Sequence, residues 1–219
     1  MRLRLEIRDL LLASWETDRE SVGRALPPEL KPADVDGRLL VTAVSMRVRG
    51  GNLGRLPVPP FSQLNVRTYC TWREEPAVFF VRSHVTPLGM GGALLGAPYR
   101  PSLLRFRTGL VSAPGLGLFL GYELRDDAEP GSLGRHELGI FEAGGLRAIR
   151  VKRDSASWRR AEPVGAAQTD VLLALGFDVR GAPELLYAPE TSFETDVPAR
   201  RLEANRSAGA PAGESWRVG

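Results

Sequence analysis

The sequence predicts a mainly β fold of the α+β class, a large antiparallel sheet closed into a barrel or cone with few short helices. Three observations carry that prediction. Apolar and polar residues alternate with period two through Leu3-Arg4-Leu5-Glu6-Ile7-Arg8 and again from Leu64 to Trp72. Further strand-like segments recur between turns rich in Gly, Pro and Asp, such as Asp126-Asp127-Ala128-Glu129-Pro130-Gly131. Helix signals are sparse, and no repeated β-α-β alternation is present.

Taken in order, the first strand covers 3–8. Thr17 and Glu20 then have the spacing of a capping box, opening a short helix that Pro27-Pro28 ends. Residues 38–49 read as a strand. The Gly- and Pro-rich stretch from Gly50 to Pro60 reads as a mobile lid or rim. In the strand from Leu64, the side chains of Asn65, Arg67 and Tyr69 share one face, opposite Leu64, Val66 and Cys70. In the strand 76–85, Arg82 and His84 fall on the same face as Val78 and Phe80. Strands follow at 103–112, 117–125, 137–142 and 146–152, then a helix over 167–175 that closes near Gly176. Residues 1–202 read as one domain. Residues 203–219, rich in Ala, Gly, Ser and Arg with little to bury, read as a disordered tail.

Length and composition narrow the function classes. A chain of 219 residues, 43% hydrophobic, suffices for one well-buried core. Its 27 arginines against two lysines, Lys31 and Lys152, are balanced by 26 acidic residues to a net charge of +3. The arginines are scattered without interleaved aromatics, which argues against nucleic acid as a partner. The lone Cys70 excludes an internal disulfide and a multi-cysteine metal site. The segment from Met1 to Glu6 lacks the apolar core of a signal peptide, and no apolar run approaches ~20 residues, so a cytoplasmic protein with no membrane partner is expected. Gly89-Met90-Gly91-Gly92-Ala93-Leu94-Leu95-Gly96 imitates a dinucleotide loop, but Leu94 stands where its third glycine belongs and no acidic residue follows about 20 positions on. No cofactor and no metal are expected.

Trp15-Glu16-Thr17-Asp18, followed by Val22, Leu26-Pro27-Pro28 and Leu30, resembles the opening signature of the acetoacetate decarboxylase superfamily. Leu64-Asn65-Val66-Arg67-Thr68-Tyr69, Gly96-Ala97-Pro98-Tyr99-Arg100, Trp158 and Glu184-Leu185-Leu186-Tyr187 extend the likeness in the same order. Over about residues 3 to 202 the chain is identified as a member of the uncharacterised YqjF-like bacterial branch of that superfamily. The resemblance implies an acetoacetate decarboxylase-like fold and a possible homo-oligomer. In the decarboxylases a Gly-x-Pro segment leads into a Lys-Lys pair, one lysine forming a Schiff base with the substrate ketone. Tyr99 and Arg100 stand in that place here, Glu16 where the decarboxylases carry an arginine, and Val66 where a glutamate follows asparagine. An arginine cannot act as the amine nucleophile, because its guanidinium stays protonated.

The residues left at those positions suit an anion. Arg67, Arg82 and Arg100 offer planar donor forks for a carboxylate or phosphate, and Tyr69 and Tyr99 add hydroxyls. Glu123, on the strand from Phe119, is a candidate partner for an inward arginine. For any single arginine, an outward strand face is the competing explanation. His84 or Tyr99 could move a proton, although no sequence-adjacent carboxylate orients the histidine. His136 reads as an exposed turn residue and Cys70 as core packing. Two functions are expected: binding of a small acidic metabolite in an arginine-lined cavity, or a lysine-independent lyase acting on a keto acid.

Overall fold

A computed structural model describes residues 1–89, 91, 96–129, 131–133, 136–154 and 156–203. It contains the strands β1 (Arg2–Thr17), β2 (Lys31–Pro32), β3 (Leu40–Leu53), β4 (Leu56–Val58), β5 (Phe61–Trp72), β6 (Glu75–Val85), β7 (Tyr99–Pro101) and β8 (Arg105–Arg107). These are followed by β9 (Leu110–Ala113), β10 (Leu118–Ala128), β11 (Leu138–Glu142), β12 (Leu146–Arg153), β13 (Trp158–Thr169), β14 (Val179–Asp196) and β15 (Arg200–Arg201). The helices are α1 (Arg19–Ala25) and α2 (Asp170–Ala174). Among the described residues no helix is long and apolar enough to cross a membrane.

Hydrogen bonding runs β12-β11-β6-β5-β3-β1-β14 and returns from β14 to β12 through Val151↔Thr195, Lys152↔Glu194 and Arg153↔Phe193, closing a ring. The 18 residues of β14 make this possible. Its C-terminal part closes the ring, while Leu185, Leu186 and Tyr187 pair with β13 and start a wing, β13-β10-β9-β8. Pairing is antiparallel except where β6 meets β11 and β7 side by side in parallel.

Burial divides along the two faces of the ring. Leu5, Ile7, Leu10, Leu12, Val44, Met46, Val48, Tyr69 and Val78 pack inward. Leu11, Ala13, Trp15, Val41, Ala43, Leu64, Val66 and Cys70 pack outward, with α1, α2 and the wing. In β1 the inward set changes from odd to even numbers, because a bulge between Arg8 and Leu11 inserts one residue against β3. Asp9 occupies that bulge with φ of 49°.

Several boundaries differ from the sequence expectation. Thr17 stays in β1, and Asp18 caps α1 by accepting from the Ser21 amide at 2.6 Å, so the cap lies one residue later than the Thr17 box. The Gly50–Pro60 stretch is no lid: β3 continues through it and turns at Gly54-Arg55 into β4. Residues 103–112 break at the Thr108-Gly109 turn into β8 and β9, and Ala167 to Thr169 end β13 before the shorter α2 begins. Met90 and residues 92–95 of the glycine-rich loop, and residues 204–219 of the expected tail, lie outside the described residues.

Gly51 is required where β1 and β3 meet, since a Cβ there would lie 2.1 Å from the Arg4 carbonyl oxygen. Gly51→Ala is expected to lower the unfolding free energy by about 1–3 kcal/mol, as overpacking does elsewhere. Urea denaturation of the two proteins measures it, and an unchanged midpoint would contradict this packing.

Candidate functional site

The inward face of β5 builds the site in layers. Gln63 and Asn65 come first, the Gln63 amide donating to Asn65 Oδ1 at 2.8 Å. Asn65 pairs with Ser83 on β6, and Ser83 with Tyr99 on β7, so Tyr99 stands on the same inward face. The Tyr99 hydroxyl hydrogen-bonds Gln63, and burial raises its pKa, which keeps the phenol protonated at neutral pH. These three polar residues line a cavity of about 140 Å³ whose other walls are mainly apolar, including Leu5, Phe80, Phe141 and Phe193. Thr195 also lines it, and its buried Oγ1 has no hydrogen-bond partner among the described residues.

One inward position further along each strand, the chemistry becomes cationic. Arg67 follows Asn65 on β5, and Arg153 follows Val151 on β12. Arg67 is 6% exposed. Its Nη2 donates to the Leu133 carbonyl at 3.2 Å, its guanidinium lies 5.7 Å from the Tyr69 ring centroid, and its buried Nε has no acceptor among the described residues. Arg153 packs over Trp158 at 5.4 Å and over Phe193, a cavity wall, at 5.2 Å. Burial, then the nearby Arg67, lowers the Arg153 pKa to about 10, leaving it charged at neutral pH. His136 meets Tyr69 edge-on at 5.0 Å, and burial followed by Arg67 holds its pKa below the usual value. Tyr69 is fully buried, with its hydroxyl 3.0 Å from Thr42 Oγ1, itself 2.9 Å from Ser14 Oγ.

Arg67, Tyr69 and Tyr99 therefore face the ring interior, and the four other candidates do not. A bulge in β6 separates the pairs Val66↔Arg82 and Arg67↔Phe80. Beyond it Arg82 and His84 sit opposite Val66 and Leu64, on the outward face, rather than with Val78 and Phe80. Arg100 pairs with His84 and shares that face, because successive residues of β7 alternate. Burial and the charges of Arg82 and Arg100 push the His84 pKa down to about 4, which makes it a poor base at neutral pH. Burial and Arg100 likewise lower the pKa of Arg82. Glu123 is exposed on β10 and ion-paired with Arg125 at 3.2 Å. His136, expected in an exposed turn, is half-buried against Tyr69. Cys70 is buried in the outward core, where burial pushes its thiol up to about 12. Lys31 and Lys152 are both exposed, and neither lines the cavity. Among the described residues no three His, Cys, Asp or Glu side chains gather to hold a metal.

Sequence reasoning passed over Gln63, Arg153 and Thr195, and it set His136 aside as an exposed turn residue. Arg153 was legible from parity, since Ile149, Val151 and Arg153 alternate with Arg150 and Lys152, which are exposed. Thr195 required the β12–β14 pairing, which no local pattern announces.

The DUF2071 family of uncharacterized conserved proteins matches residues 4–117. The chain belongs to this family. No curated protein matches it in sequence. In fold it is similar to an acetoacetate decarboxylase-like enzyme from Sphingomonas wittichii RW1, with a TM-score of 0.63 at 16% identity over 92% of this chain and 93% of that one. Acetoacetate decarboxylase from Legionella pneumophila gives 0.69 at 9% identity, over 93% and 88% of the two chains. The enduracididine biosynthesis enzyme MppR, solved with pyruvate, gives 0.62 at 12% identity, over 90% of each. The DUF2071 chain thus has the acetoacetate decarboxylase-like fold of the YqjF-like branch.

The His84 environment has a measurable consequence. Folding keeps the imidazole unprotonated down to about pH 4, whereas its ordinary value is 6.5, so between those values the unfolded chain binds the extra proton. Stability is expected to fall as pH drops through that window. His136 contributes in the same direction, so His84→Gln should reduce the slope of urea midpoint against pH without abolishing it; parallel slopes for both proteins would contradict the burial of His84.

Proposed function

We propose that the ring interior, within a single domain spanning residues 1–202, binds a small carboxylate-bearing metabolite without forming a covalent bond to it. The observation that carries this is the buried guanidinium layer beside a small, mostly apolar cavity, with Arg67 Nε unsatisfied among the described residues. A buried charge costs several kcal/mol unless paired, and Arg67 also lies close enough to Arg153 and His136 to depress both. An anion drawn to Arg67 would relieve that repulsion. A volume of about 140 Å³ corresponds to roughly five water molecules, which restricts the hydrocarbon part to a few carbons. Thr195 Oγ1, Tyr99 and Asn65 can hydrogen-bond a carbonyl or hydroxyl between the two ends. Pyruvate, with which MppR was solved, has this combination of carboxylate, carbonyl and methyl group.

On this reading no imine forms, since Tyr99 and Arg100 stand where the resemblance to the decarboxylases places the lysine pair, and both lysines of this chain are exposed. A lysine-independent lyase is the second possibility, favoured by Tyr99 alone: a protonated phenol facing the cavity could donate to a developing enolate.

Thermal unfolding with pyruvate, 2-oxobutyrate and pyruvamide tests the proposal. A keto acid at about 100 times its dissociation constant should stabilise the wild type by about 2.7 kcal/mol. The neutral amide should do much less, and Arg67→Met should erase the difference. Equal stabilisation by acid and amide would overturn the anion assignment. Turnover of a bound acid that Tyr99→Phe abolishes, with binding retained, would favour the lyase over the binder.

A further inference from the structure

A second cleft lies on the other side of β1. The bulge at Asp9 turns this residue out of both ladders, and its positive φ, 49°, is uncommon for a residue with a side chain. The geometry is held by two partners. Tyr187 donates its hydroxyl to Asp9 Oδ1 at 2.6 Å, and Arg47 binds Oδ2 through Nε and Nη2. Such outliers accumulate where a ligand is bound.

The Asp9–Arg47 pair forms part of the wall of a cleft of about 760 Å³, closed on its far side by the β8–β9 turn and β10. Gly109 shapes that turn: its φ is +70°, it accepts from the Tyr122 amide at 2.8 Å, and a Cβ would lie 2.7 Å from the Tyr122 carbonyl oxygen. Tyr122 packs its ring 6.0 Å from that of Tyr187, at 37°. Its hydroxyl makes no hydrogen bond to any described residue, and burial followed by the Asp9 charge pushes its pKa to about 12, so it remains a donor at neutral pH.

Charge defines what such a cleft can hold. Its lining carries two carboxylates, Asp9 and Glu123, against two guanidinium groups, Arg47 and Arg107, and leaves no net attraction for an anion or a cation. Asp9 is paired with Arg47, and Arg125 is shared between Glu123 and Glu162, so the one negative charge left in that group offsets Arg107. What remains is a set of neutral donors and acceptors, the Tyr122 and Thr108 hydroxyls and the free edges of the ion pairs, beside tyrosine rings. We propose that this cleft is a binding site, separate from the ring cavity, for an uncharged polyhydroxylated ligand of the saccharide class. Adjacent hydroxyls can donate to a carboxylate edge while accepting from a guanidinium, and the C–H face of the ring can lie on tyrosine.

Titration of the protein with glucose, galactose and ribose, followed by amide chemical shifts and calorimetry, tests this. At least one sugar should bind saturably and shift resonances of the Thr108-Gly109 turn. Tyr122→Phe, which removes only a hydroxyl, and Thr108→Ala, on an exposed turn, should each weaken that binding by about tenfold, the loss of one hydrogen bond. Tyr99→Phe, in the ring cavity, should leave it unchanged. Failure of all three sugars to bind, equal affinity in Tyr122→Phe, or saturable binding at this turn of acetate or ethylamine in their place would overturn the assignment.

Discussion

The contact between β12 and β14 is the constraint on which the rest depends. Without the Val151↔Thr195, Lys152↔Glu194 and Arg153↔Phe193 pairs, the ring would be an open sheet with its inward apolar face exposed at two unpaired edges. Closure places Val151, Phe193 and Thr195 opposite Asn65 and Phe80 around one cavity, and it brings Arg153, from near the end of β12, close to Arg67 of β5. A strand as long as β14 is needed because it performs two tasks, completing the ring at one end and carrying the wing at the other.

Within that ring, two bulges decide which residues meet. The bulge in β1 shifts the inward set from Ile7 to Leu10 and Leu12 while turning Asp9 toward Arg47 and Tyr187. The bulge in β6 keeps Val78 and Phe80 inside and sends Arg82 and His84 outside. Arg67, Arg153 and His136 consequently form an interior layer around Tyr69, while Arg82 and Arg100 form an outward group around His84. A cavity lined on all sides by arginine does not form, and the repulsion of a larger buried cationic cluster is avoided.

The legible parts of the fold were those with one buried face. Alternation in β1 and β5 is plain because Ile7, Leu64, Val66 and Cys70 alternate with residues of different polarity. The strand β13 was missed because most of it is exposed and it carries Pro163 and Gly165, which read as turn signals. The β6 bulge was hidden for a different reason. Val78, Phe79, Phe80 and Val81 are all apolar, so the run gives no indication of where parity slips, and the outward placement of Arg82, His84 and Arg100 could not be inferred from period two. The inward side of Arg67 and Tyr69 follows correctly from alternation within β5. Thr195 depends on ring closure between segments at least 40 residues apart, which lies beyond any local signal.

The most direct test of this account is a crystal structure of the protein grown with pyruvate. The account predicts Tyr99 and Arg67 facing the ring interior, Arg82, His84 and Arg100 outside it, and pyruvate in the cavity with its carboxylate within hydrogen-bond distance of Arg67. A ring whose interior holds Arg100 and His84, or pyruvate bound only outside a well-formed ring, would contradict it.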